Sequence, residues 1–89
     1  MKYDVLTTLR VREETFKIVK HNSGFYCAIN EKYIGEDGYL TKALNGLEMN
    51  VAKTIQDCVQ NTRRSVEVDY LKSQGMTLEQ AIRTACAMY

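Results

Sequence analysis

The chain contains no proline and no tryptophan, only two phenylalanines, one histidine and three cysteines in its 89 residues. Without proline, nothing rigidly stops a helix or blocks a strand, so punctuation falls to glycine with asparagine or aspartate: Asn22-Ser23-Gly24, Asp37-Gly38, Asn45-Gly46 and Gly75. No apolar run approaches the length that crosses a bilayer, and residues 1–6 have no apolar core of a secretory leader, so a cytoplasmic protein is expected with no membrane partner. Charge of one sign is also missing. Net charge is +1, and neither the segment before Tyr39 nor the one after it is strongly biased, so bulk electrostatics predict no polyanion partner.

Cys27, Cys58 and Cys86 lie about thirty residues apart without a CxxC pair. An odd number of thiols suits a reducing compartment, and all three read as small buried side chains rather than zinc ligands. His21 stands beside the Asn22 turn with no nucleophile or carboxylate spaced to meet it. The carboxylates at 13, 14, 36 and 37 fall in turns, Glu36-Asp37-Gly38 lacks the alternating oxygens of a calcium loop, and no glycine-rich phosphate cradle is present. These absences predict no enzyme, no cofactor, no metal and no small-molecule substrate.

What is present is a change of period. Val5, Thr7, Leu9 and Val11 alternate with Leu6, Thr8, Arg10 and Arg12, a period-2 pattern rich in β-branched residues that predicts a strand, and two further segments follow. The expected strands are 4–12, 15–21 and 25–30, joined antiparallel. A reversal at Glu13-Glu14 faces Val11 with Phe16 and Leu9 with Ile18, giving both arms one apolar face. At the second turn, an even loop pairs Phe16 with Ile29, Ile18 with Cys27 and Lys20 with Phe25. An odd loop instead sets Ile18 opposite Ala28 and splits the apolar set across two faces, so the even loop is expected. Asp37-Gly38 either closes a further short hairpin or leads into the helix.

From Leu40 the period is helical: Leu40, Leu44, Leu47, Val51, Ile55, Cys58, Val59, Thr62, Val66 and Tyr70 form one stripe. A helix over 40–73 follows, with Gly46 as the point where it could begin late. Gln74-Gly75 reads as its C-cap, and Thr77 with Gln80 as a capping box opening a second helix over 78–88, where Glu79 and Arg83 are an i,i+4 pair. The expected fold is α+β, order β-β-β-α-α: one domain over 1–89, β-rich over 1–39 and a helical hairpin over 40–89.

A helix over 40–73 would be about 51 Å long, against a radius of gyration of about 12 Å for a compact chain of this size. Such overshoot predicts a homodimer or another protein partner. Two sets of residues are candidate contacts. Arg10, Arg12 and Lys17 point away from the apolar face, with Arg10 opposite Lys17, and Arg63 and Arg64 could extend that basic patch unless Arg63 pairs with Glu67. Tyr26, Tyr33 and Tyr39 cluster in the β-rich half and suit half-buried contacts. The leading expectation is a small non-enzymatic interaction protein that self-associates; the alternative is a nucleic-acid-binding accessory using the basic sheet face.

Overall fold

The computed structural model describes residues 2–89. Three antiparallel strands, β1 (Asp4–Val11), β2 (Glu14–Lys20) and β3 (Tyr26–Asn30), form an open sheet in sequence order and are followed by helices α1 (Ile55–Ser73) and α2 (Leu78–Met88). The β-β-β-α-α order and α+β class are those the change of period predicts.

Register corrects the expectation at both hairpins. β1 and β2 turn at Arg12-Glu13, one residue early, so Val11 faces Glu14 and Leu9 faces Phe16. Arg12 takes a left-handed φ of 53°, which aims its side chain at α1. β2 and β3 pair Phe16 with Asn30, Ile18 with Ala28, Val19 with Cys27 and Lys20 with Tyr26, the register of the rejected odd loop. The rejection assumed one buried face, whereas this sheet has two. Phe16, Ile18 and Ala28 pack with Val11, Cys58 and Val66 on the α1 side, while Val19, Cys27 and Ile29 pack with Tyr3 and Ile34 on the other. Splitting the apolar residues between faces is then favourable, because both sets leave water.

The second face is covered by the segment expected to begin the long helix. Leu40, Leu44 and Met49 lie over it, and the chain from 40 to 54 is not helical, so the helix over 40–73 and the helical hairpin over 40–89 both shorten. Continuing α1 back to Leu40 would lift these side chains off the face and leave Val19 and Ile29 uncovered. Asn50 in the left-handed region (φ 47°) also interrupts helical geometry. Asp37-Gly38 closes a short hairpin, with an Ile34–Leu40 bridge, Gly38 at φ 87° and the Tyr3 N–H donating to the Gly38 carbonyl (2.8 Å). Met49 and Ala52 then satisfy the outer edge of β3, accepting from the N–H groups of Ala28 and Tyr26.

Thr54 begins α1 by accepting from the Asp57 N–H. Gly75 (φ 100°) ends it in a Schellman arrangement, its N–H donating to Lys72 and that of Met76 to Leu71. Thr77 and Gln80 form the expected capping box. At about 28 Å, a helix of 19 residues fits within the longest dimension of 38 Å, so the overshoot that predicted a dimer is absent. No described helix is long and apolar enough to cross a membrane.

Candidate functional site

The predicted basic patch divides among three surfaces. Arg10 and Lys17 do share the sheet face away from α1, but the register sets Arg10 opposite Thr15 and Lys17 opposite Thr8. Each cation donates to the threonine it faces, at 3.4 and 3.5 Å, so the repulsion expected of a direct Arg10–Lys17 pair does not arise. Arg12 leaves that face altogether. Its guanidinium makes two 2.8 Å bonds to Glu67 and lies 3.5 Å from the centroid of the Tyr70 ring. Glu67 therefore pairs with Arg12 and not with Arg63, since the hairpin tip reaches a carboxylate that is only 2% exposed on α1. The bonds from Arg12 hold the Glu67 carboxyl below its ordinary range, overcoming the opposing effect of burial. Arg64 donates to the backbone oxygen of Tyr89 (3.1 Å), and Arg63 lines a separate hollow with Tyr89, Val59 and Gln60.

Nor do the tyrosines converge. Tyr26 packs beside the α1-side core, Tyr33 beside the opposite one under the Lys42 ammonium (4.4 Å), and Tyr39 is exposed near the Lys2 bridge. Cys27 and Cys58 are buried as expected, but Cys86 is exposed on α2, a correction that follows from α2 packing through Ala81 and Ala85. Burial pushes the Cys58 thiol up to about 11 and raises that of Cys27, so neither offers much thiolate near neutrality. No cluster able to hold a metal ion occurs among the described residues. The Ser23 N–H donates to His21 Nδ1 (3.1 Å), with Ser23 Oγ 2.6 Å from the same atom, so Nδ1 is an acceptor closing its own turn.

Two features emerge that no motif announced. Along α1, a hollow of about 450 Å³ lined by Arg12, Glu13, Glu14, Asp69 and Tyr70 joins one of about 490 Å³ lined by Phe16, Lys32, Tyr33, Lys42 and Leu47. They share Glu14, Val66 and Asp69, so they make one trench between α1, the β1–β2 hairpin and the covering segment. Leu47 on its rim is 90% exposed. The helical stripe that the spacing predicts through Leu47 does not form; the adjacent Asn45-Gly46 is the signal, where the chain turns instead. On α2, Ala81 and Ala85 are fully buried while Leu78 (54%) and Ile82 (44%) are not, although all four belong to the apolar side of the helix.

Comparison with protein-family models, curated proteins and solved structures gives no match to this chain.

Proposed function

We propose that the chain is a small non-enzymatic protein-interaction module that self-associates through α2. The observation that carries this reading is the width of the α2 apolar face. Leu78, Ile82 and Cys86 follow at i, i+4 and i+8, with Tyr89 one turn on, and α1 covers only the Ala81–Ala85 side of that face. A second copy is the natural cover, because a two-fold axis lays the stripe against itself in antiparallel fashion. The same flank of each α2 carries Glu79 and Arg83, which bond at 2.6 Å within one chain. Antiparallel pairing brings each beside its opposite charge in the other copy, so the charges complement rather than repel.

Light scattering over a concentration series tests the proposal. A dimer mass that falls to the monomer in Ile82→Glu is expected; a monomer at the highest concentration overturns it.

A nucleic-acid role is the second reading, and Arg10 with Lys17, on the uncovered β1–β2 part of the sheet face away from α1, supports it. It predicts oligonucleotide binding that weakens steeply from low to physiological salt, whereas α2 association through apolar side chains changes little. Arg12 contributes little here, being engaged with Glu67 and Tyr70.

A further inference from the structure

We infer that the trench along α1 receives a short peptide segment of a partner protein, one carrying an aliphatic residue, a basic residue and an acidic residue. The inference rests on the reading of the chain as an interaction module, but places a second contact on the side of α1 that faces the hairpin, apart from α2. Three observations specify the occupant. The trench lining is mixed, with nearly buried Phe16 and Val66 beneath polar and charged walls, and its rim holds Leu47, the most exposed large apolar side chain of the described residues. An aliphatic side chain packed against Leu47 at the rim would remove it from water.

Charge gives the segment its direction. Arg12 is satisfied by Glu67, and Lys42 lies 3.9 Å from Glu48, so neither dominates its half. Glu14 accepts one bond from Asn30, and Asp69 has no hydrogen-bond or ion-pair partner among the described residues. These two carboxylates stand where the hollows meet and call for a cation in the occupant. Lys32 on the far wall, also without an ion-pair partner among the described residues, calls for an anion. A polyphosphate backbone would meet Glu13, Glu14 and Asp69 unfavourably, which favours a peptide over a nucleic acid. Tyr70, pinned by Arg12, supplies a rigid wall that costs little ordering on binding.

A random-peptide phage library selected on the immobilised full chain tests this, followed by fluorescence anisotropy with the enriched peptides. Enriched sequences should share a lysine or arginine flanked by an aliphatic residue, and their affinity should fall about tenfold in Leu47→Asp and again in Asp69→Lys. Both positions are exposed, and unchanged thermal midpoints certify the variants. Selection on Asp69→Lys should replace the basic residue with an acidic one. No enrichment, or peptides that bind both variants as tightly as wild type, overturns the inference. So does a labelled single-stranded oligonucleotide that binds wild type and is lost in Lys32→Glu. Peptide failure beside a dimer mass in light scattering removes the trench contact alone, while a monomer with trench-dependent peptides removes only self-association.

Discussion

The two faces of the sheet are closed by chain of opposite character. Over Phe16, Ile18 and Ala28 lies α1, a regular helix capped at Thr54 and Gly75. Over Val19, Cys27 and Ile29 lies an irregular segment fixed by isolated bridges, one glycine hairpin and three aliphatic side chains. Ile18 and Ala28 under the helix, and Val19, Cys27 and Ile29 under the irregular segment, are equally sealed from water although most of β1 stays exposed, so burial does not require regular structure. What differs is how the cover is held: the helix satisfies its own backbone, whereas the irregular cover borrows the edge of β3 and the backbone of Tyr3.

Truncating one core residue under each cover gives the largest effects. Ile18 and Ile29 are both fully buried, and Ile→Ala at either should cost about 2 to 5 kcal/mol. The loss at Ile29 should be the smaller, because an irregular cover can settle into the cavity more readily than a helix. Urea unfolding of the two variants decides this; an equal or larger cost at Ile29 would show the irregular cover to be as rigid as α1. Gly38→Ala comes next. A Cβ there would stand 2.3 Å from the Tyr3 carbonyl oxygen at a φ of 87°, so about 1 to 3 kcal/mol should be lost. Gly24, at φ 93° with open space around it, isolates the backbone part of that cost, and its alanine variant should lose about 1 kcal/mol. Similar losses at both would mean the cover hairpin yields to the clash.

Acid should separate the helix side through Glu67. Its folded carboxyl titrates below the ordinary 4.5, chiefly through the bonds from Arg12, so its stabilisation is full above that value. It is lost as pH falls through the folded value. The difference in thermal midpoint between wild type and Glu67→Gln should therefore be greatest near neutrality and shrink below pH 4.5. A difference independent of pH would mean that shape, not charge, joins the hairpin tip to α1.

How legible each cover was follows from the same contrast. α2 and the end of α1 could be read because their signals are local: Gly75, the Thr77–Gln80 box and the Glu79–Arg83 pair all act within one turn. The strands were legible from alternation, and Leu9, Val11, Phe16 and Ile18 do share a face. Register was not, since Val19, Cys27, Ala28 and Ile29 look alike whether one face or both is buried. The stretch from Leu40 to Val51 keeps helical spacing by coincidence; what it covers lies on β2 and β3, beyond the reach of local periodicity. Arg12 was legible as a cation but not as a partner of Glu67, because a left-handed turn aims it. Leu47 and the trench required three separated segments to meet, and no spacing encodes that.

The smallest effect lies where the two covers join. Thr54 is the last residue of the irregular segment and the N-cap of α1, its side chain accepting from the Asp57 N–H at 3.1 Å, and Thr54-x-x-Asp57 is a helix-start signature that the longer stripe obscured. Thr54→Ala should lower stability by about 1 kcal/mol. Because Asp57 lies in the first turn, where its negative charge opposes the positive helix end, the loss should be confined to that turn. Amide exchange should therefore quicken near Asp57 and Cys58 while Tyr26 and Ala28, bonded to Ala52 and Met49, keep their protection. If the Tyr26 and Ala28 amides quicken as well, the irregular cover and the helix open as one unit, and the boundary between them is not a boundary in stability.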